Sequence, residues 1–151
     1  MTSTGVPRLI TFGLLLVGAV RVVLLWHRLP EPMASHFGAD GVANGWSSRG
    51  SCVLLLGMVG GGVTLLLGNI GALVRWMPRS TVNLPHKEYW ATDERWPGAL
   101  EKTAVWMAWF GVATAALVLC VLELTLRANL APRPLPAVPM WGSLGPRSAR
   151  D

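Results

Sequence analysis

The sequence is poor in charge. Only 14% of its 151 residues are Asp, Glu, Lys or Arg, whereas soluble domains carry about 25%. Hydrophobic residues make up 52% of the chain, so a water-compatible surface could not cover a polypeptide of this length. The shortage of charge excludes an ordinary soluble domain and predicts that lipid covers much of a small, single-domain protein.

Catalytic and metal-binding motifs are also lacking. The two cysteines, Cys52 and Cys120, lie in apolar stretches and match no metal or redox spacing. There is no Gly-rich phosphate loop, no nucleophile elbow and no His-Glu-x-x-His motif. We therefore expect no enzymatic activity, no cofactor and no bound metal. The net charge of +5 is spread without a run or stripe, which favours anionic lipid headgroups over nucleic acid as partners.

What the sequence does contain is three long apolar runs, at residues 9–26, 52–74 and 104–126. A bilayer core of ~30 Å needs about 20 helical residues. The runs predict an all-α integral membrane protein with three transmembrane helices in a small bundle. A cleaved signal peptide is the alternative for the first run. Residues 1–130 are predicted to form the membrane domain, in which residues 27–51 and 75–103 are the two connecting loops. Residues 131–151 are predicted to form a disordered Pro-rich tail.

Charged residues lie near the ends of these runs. Arg21 comes late in the first run, from where its long stem can carry the guanidinium to the headgroups. Glu123 and Arg127 are four apart and can pair on one helix face. Because no ionisable group lies at mid-span, a transport pathway is not indicated. The third helix is predicted to start at an Asp93 N-cap, with Pro97 in its first turn.

Small residues form a stripe on each of the last two runs. At ~100° per residue, most glycines of the second run share an arc of roughly 100°, and the small residues of the third share an arc of roughly 60°. Close backbone approach favours association of such faces, so we expect the two helices to pack antiparallel within the monomer. A homodimer through Gly57 and Gly61 is the alternative. The packing residues are Gly57, Gly61, Gly68, Ala108 and Gly111.

Membrane orientation is not decided by the basic residues, because the two sides carry equal numbers. The N-terminus and second loop share Arg8, Arg75, Arg79, Lys87, Arg95 and Lys102; the first loop and tail share Arg28, Arg49, Arg127, Arg133, Arg147 and Arg150. We favour a cytoplasmic N-terminus, since the second loop places five of these between two spans.

The first loop concentrates His36, Asp40, Asn44 and Trp46 among turn residues. One interpretation is a small binding site of imidazole, carboxylate and amide around an indole. The other is a compact loop closed by its own side-chain to backbone bonds, with Phe37 and Trp46 at the membrane interface.

The second loop contains His86, Glu88, Tyr89 and Trp90 within the stretch NLPHKEYW. In extended chain, neighbouring side chains point to alternate sides, which is a poor geometry for one catalytic cluster. We expect Tyr89, Trp90 and Trp96 to anchor the loop at the interface. A site formed by His86 and Glu88 is the alternative.

Three motifs carry a resemblance to a known family. They are LP followed by His-Phe, Asn-Gly-Trp and a Ser before a basic residue; NLPHKEYWATDER; and RANL at residues 127–130. Together they resemble a bacterial membrane domain of unknown function, also found at the N-terminal end of sporulation-delaying-protein immunity proteins. In this chain His86 stands for the usual Asn and Glu88 for the usual Asp. The resemblance implies a multi-pass protein of the bacterial cytoplasmic membrane, and for the immunity proteins it implies toxin neutralisation and signalling.

The leading hypothesis is a non-enzymatic membrane protein, immunity-like or signalling, that contacts another membrane protein or a peptide through its loops. It follows from the distinctive polar residues lying outside the apolar runs. The alternatives are a membrane module that binds a metal or small ligand through His36, Asp40, His86 and Glu88, and a structural subunit of a membrane complex. The expected topology separates the two loops, which opposes a joint site.

Overall fold

The protein has three helices long and apolar enough to cross a membrane, which confirms the predicted fold class. A computed structural model describes residues 4–39 and 41–130, so Asp40 and the Pro-rich tail at 131–151 lie outside the described residues. The helices run Gly5–Arg28, Arg49–Val74 and Trp96–Leu130. Each begins before its predicted apolar run, because helical hydrogen bonding continues into the polar flanks; the first and third also end after it, whereas the second ends at Val74 as predicted.

The helical elements follow one another in a simple order. Helix α1 (Gly5–Leu25) ends in a 3₁₀ turn, and the second span comprises α2 (Arg49–Leu55), a π-helical turn (Leu56–Gly61) and α3 (Gly62–Val74). The second loop contains a 3₁₀ turn and the one-turn helix α4 (Lys87–Trp90), and α5 (Trp96–Leu130) completes the bundle. The two 3₁₀ turns are Trp26–Arg28 and Arg79–Thr81.

The first loop contains a β-hairpin, which the turn-rich composition did not predict. Strands β1 (Met33–Phe37) and β2 (Ala43–Ser47) pair antiparallel, with Ala34 opposite Trp46. The turn closes through a hydrogen bond from the Gly38 N–H to the Val42 carbonyl, 2.8 Å long. Gly41 has a φ of 76°, a left-handed conformation that glycine adopts without steric cost.

Three predictions about the second loop are wrong. Residues 86–89 are not extended: α4 begins at Lys87, and His86 precedes it with a φ of 54°. Asp93 does not cap α5, which begins at Trp96. The carboxylate of Asp93 instead forms an ion pair with Arg79. Trp96, expected at the interface, is buried. Local side-chain partners, invisible in the pattern of hydropathy, decide these positions.

Helix α5 lies between the other two helices and packs against both. It runs antiparallel to α3, because Gly68 meets Gly111 while Gly71, further along, meets Ala104. A Cβ built on Gly111 would lie 2.7 Å from the Gly68 Cα, and one built on Gly71 would overlap Ala104. Ala108 is almost fully buried in the same face. The two stripes of small residues thus let the backbones touch.

Gly57 and Gly61 are exceptions, and their placement in this contact is wrong. A Cβ added to either would meet nothing within 4 Å. The reason is the π-helical turn, which contains Gly57 and Gly61. A π-helix takes more residues per turn than an α-helix, so the arc projected at ~100° per residue does not carry through it. The homodimer through these glycines stays a prediction.

The best-packed apolar cluster lies under the hairpin. Leu25, Leu29, Met33, Cys52 and Leu126 are buried together there, drawn from α1, the first loop, α2 and α5. Met33 has no exposed surface. The hairpin is therefore docked on the bundle through a hydrophobic core of its own.

Candidate functional site

Arg49 joins the two flanks of the first loop. Its Nη1 donates hydrogen bonds to the carbonyl oxygens of Trp26 at 2.9 Å and Leu29 at 3.3 Å. Its guanidinium also lies 4.7 Å from the centre of the Trp26 ring, within the range of a cation–π interaction. These carbonyls follow the end of α1, where helical partners run out. Arg49 thus ties the exit of the first helix to the start of the second.

Glu31 and Ser48 fix the start of α2. The backbone N–H of Arg49 donates to both carboxylate oxygens of Glu31, at 3.2 and 3.0 Å. The Ser48 hydroxyl accepts the N–H of Ser51 at 3.1 Å, a regular N-cap bond. A carboxylate at a helix N-terminus also faces the positive end of the helix dipole. Ser48 and Arg49 of the first motif therefore fix the point at which this helix begins.

Asn129 holds β1 against the end of α5. Its Oδ1 accepts the Ala34 N–H at 2.7 Å, and its Nδ2 donates to the Ala34 carbonyl at 3.0 Å. One amide side chain thereby satisfies both backbone groups of an edge-strand residue, as a neighbouring strand would. This is the structural role of the Asn in RANL, a role that sequence reasoning missed.

His36 and Asn44 are the two predicted site residues that the hairpin brings together. The Nδ1 of His36 is hydrogen-bonded to the Oδ1 of Asn44 across the strands. A Cβ on Gly45 would approach the His36 Cβ to 3.0 Å, so glycine makes room for the imidazole. In the Asn-Gly-Trp motif, Asn44 and Gly45 are therefore explained as the residues that contact His36 of the His-Phe motif. Asp40 cannot be added to this pair, because it lies outside the described residues.

A groove opens between the hairpin and the end of α5. We call it the hairpin groove; its volume is about 500 Å³ and its walls include Pro32, Phe37, Val42, Trp46 and Ala128. Trp46 is 60% exposed and Val42 is 50% exposed. A large aromatic side chain at the mouth of an apolar groove, on a docked hairpin, is a surface suited to binding rather than to chemistry.

Arg21 and Glu123 form an ion pair between α1 and α5. The Arg21 Nε and Nη2 donate to the two carboxylate oxygens at 3.1 and 2.8 Å. Arg127 donates to the same carboxylate at 3.0 Å, as the spacing of four predicted. Arg21 was expected to reach headgroups alone. The missed signal is that the first and third spans cross in the same direction, which places residues near the ends of both on the same side of the membrane.

The second loop lies at the opposite end of the bundle. A second span of 26 residues separates the two ends by ~39 Å, so His86 and Glu88 cannot join His36 in one site. Arg95 lies 4.2 Å from the Tyr89 ring and Lys102 lies 4.8 Å from the Trp90 ring. Among the described residues, no three His, Cys, Asp or Glu side chains form a group that could hold a metal.

A second groove lies inside the membrane-spanning part. It has a volume of about 400 Å³ and separates the first half of the second span from α1, with α5 as its floor. Gly57 and Gly61, the two glycines absent from the α3–α5 contact, line it together with Gly18 and Val118. The packing residues of the sequence prediction thus divide between a tight contact and an open groove.

The hairpin lies in a segment that matches a known family model. Residues 13–60 match a family described as Domain of unknown function (DUF1648). No curated protein and no solved structure matches the chain. The matched segment contains most of α1, the whole hairpin, Glu31 and Arg49, whereas Asn129 lies beyond it. From residue 13 to residue 60, this multi-pass membrane protein is therefore similar to a domain family whose function is unknown.

Proposed function

We propose that the protein is a non-enzymatic recognition module of the bacterial cytoplasmic membrane, which binds another membrane protein or a peptide in the hairpin groove. The observation that carries this proposal is the contrast within the first loop. Its inner side is fixed by Arg49, Asn129 and buried Met33, while Trp46 at its outer side is 60% exposed.

Preorganisation supports binding at this surface. A loop that is ordered before binding loses little conformational entropy when a partner arrives. Tryptophan is enriched among the residues that dominate binding energies. A two-stranded hairpin also has edge backbone groups to which an extended segment can add as a further strand. A short polypeptide that places an apolar side chain against Trp46 fits this description.

The proposed biological class is immunity-like or signalling. It rests on the resemblance of the loop motifs to immunity proteins and on the family match over residues 13–60. With a cytoplasmic N-terminus, the first loop lies on the outer side of the membrane, which is the side that an extracellular peptide reaches. Labelling of single cysteines introduced at Ser35 and at Glu88 with an impermeant maleimide tests this orientation; only the cysteine at position 35 should react in intact cells.

The binding test is site-specific photocrosslinking in the native membrane. A photoreactive phenylalanine analogue replaces Trp46 in one variant and Tyr89 in the other, which is 54% exposed at the opposite end. We expect a discrete protein or peptide adduct from position 46 and none of the same mass from position 89. Equal adducts from both positions, or lipid adducts alone, would contradict binding in the groove.

The captured partner then permits an affinity measurement. Trp46→Ala should weaken binding by roughly thirtyfold, because an anchoring aromatic residue contributes about 2 kcal/mol. Tyr89→Ala is the matched control and should leave the affinity within a factor of two. Trp46→Ala should keep the thermal midpoint of the wild type, since its side chain lies outside the buried cluster, and Tyr89→Ala should lower the midpoint only slightly, because it also removes the contact with Arg95.

A further inference from the structure

A separate pocket lies at the end of the bundle opposite the hairpin. We call it the arginine pocket; its volume is about 480 Å³, and Thr4, Arg8, Ala72, Arg75, Pro97, Glu101 and Ala104 line it. All three membrane helices contribute to its walls. It therefore exists only in the assembled bundle, unlike a patch of basic residues on one loop.

The charged groups of this pocket are unbalanced. Two guanidinium groups, those of Arg8 and Arg75, face a single carboxylate, that of Glu101. The Nε of Arg8 is buried and has no hydrogen-bond acceptor among the described residues. A buried donor without an acceptor is destabilising, and more so when it is charged. The pocket thus holds a group that an incoming anion would satisfy.

The backbone adds to the same electrostatic field. Helix α1 begins at Gly5 and α5 at Trp96, so both helices direct their N-terminal ends toward the pocket. Neither helix has an acidic residue in its first turn, and Thr4 makes no side-chain cap. At α5 the N–H groups of Trp96 and Ala99 already bond the carbonyls of Thr92 and Arg95, so the helix dipole is what favours an anion at these ends. Side chains and backbone therefore prefer the same sign of ligand charge.

We propose that the arginine pocket binds a phosphate group, most directly the headgroup of an anionic phospholipid. Arginine presents paired N–H donors that match phosphate oxygens. The pocket lies where the apolar spans meet their polar flanks, between Val74 and the first turn of α5, which is the depth of lipid phosphates. A free phosphate group has the same chemistry and is the second source to be distinguished.

Native mass spectrometry of the full-length protein in neutral detergent tests the proposal. Phosphatidylglycerol is titrated in one arm, zwitterionic phosphatidylcholine in the second and inorganic phosphate in the third. We expect one phosphatidylglycerol per chain to bind tightly, with phosphatidylcholine much weaker. Inorganic phosphate binding more tightly than phosphatidylglycerol would identify a free anion as the ligand and would still support the phosphate site.

Variants connect binding to the pocket. Arg8→Gln with Arg75→Gln should weaken phosphatidylglycerol binding roughly 25-fold, about fivefold for each arginine near a membrane surface. Arg95→Gln removes a charge at the same end but outside the pocket and should change binding less than twofold. Glu101→Gln should strengthen binding, because it removes the carboxylate that opposes the anion.

A lysine pair guards against a trivial loss of fold. Arg8→Lys with Arg75→Lys keeps both positive charges and should retain binding to within about fivefold of the wild type. The proposal fails if the glutamine pair binds phosphatidylglycerol and phosphate as the wild type does. It also fails if the lysine pair loses binding as fully as the glutamine pair, since charge would then not be the cause.

Discussion

The two ends of the bundle are held together in different ways. At the hairpin end, contacts of the first loop hold the structure together. Arg49 donates hydrogen bonds to the carbonyls that follow α1, Asn129 is hydrogen-bonded to β1, and a buried apolar cluster lies beneath the hairpin. At the opposite end, the helices themselves touch through Gly68, Gly71 and their partners on α5, and the second loop is closed by bonds of its own, among them the Arg79–Asp93 ion pair. Polar clamps fix one end and backbone contact fixes the other.

This difference has a consequence for function. Where the loop carries the stability, it becomes a rigid surface that can present Trp46. Where the helices touch directly, residues at the ends of all three line the arginine pocket. Recognition of a polypeptide at one end and of an anionic headgroup at the other is the division that we propose.

The largest expected effect comes from breaking the helix contact. Gly71→Leu places a side chain on the backbone of Ala104 and should lower the free energy of unfolding by about 3 kcal/mol, the upper end of the usual cost of overpacking. Thermal unfolding in detergent, followed by tryptophan fluorescence, measures it. Gly57→Leu is the control on the same span: it meets open space and should shift stability little. Equal losses in both variants would show that the backbone contact is not special.

The next effect comes from breaking the clamp at the other end. Arg49→Ala removes two hydrogen bonds from a charged donor and should lower the free energy of unfolding by about 2–3 kcal/mol. Arg49→Lys keeps the charge but loses the planar guanidinium that lies over the Trp26 ring, so it should recover only part of this loss. Hydrogen exchange should rise in β1 and β2 in both variants and stay unchanged in α3. Exchange that rises equally in α3 would contradict an end-specific clamp.

The sequence predicted the spans because apolar length is a property of each segment alone. Gly68, Ala108 and Gly111 were found for the same reason, since a regular helix turns by a known angle per residue. Gly57 and Gly61 were misplaced because a π-helical turn changes that angle, and no residue pattern marked it.

The polar clamps were harder to predict because each joins distant parts of the chain. The bond between Ala34 and Asn129 spans 95 residues, and that between Arg21 and Glu123 spans 102. A motif names such residues without naming their partners. The structure joins His36 and Asn44 as mutual partners across a hairpin that the turn-rich composition concealed.

A smaller effect tests the amide bridge by itself. Asn129→Ala removes both bonds to Ala34 and should cost about 1–2 kcal/mol, at roughly 1 kcal/mol for each neutral hydrogen bond. Asn129→Asp retains the acceptor for the Ala34 N–H but loses the donor to the Ala34 carbonyl. The free energy of unfolding should fall by more than one hydrogen bond contributes, because that carbonyl is left without its donor. Partner binding in the hairpin groove should weaken in parallel with stability. If Asn129→Ala unfolds with the same free energy as the wild type, the bonds between Asn129 and Ala34 do not stabilise the protein.

The smallest expected effect is in the second loop, and it compares the two ends of the bundle most directly. Arg95 stacks on Tyr89 at an exposed site, where a cation–π contact contributes about 0.5–1 kcal/mol. Arg95→Gln should therefore lower the free energy of unfolding by no more than this, against the several-fold larger loss for Arg49→Ala. Both residues are arginines beside an aromatic ring at a helix start, so the difference between the two variants measures the polar contacts of Arg49, with the carbonyls of Trp26 and Leu29 and with the Glu31 carboxylate 3.8 Å away. If the two variants lose equal stability, the aromatic contact and not the carbonyl clamp holds the hairpin end.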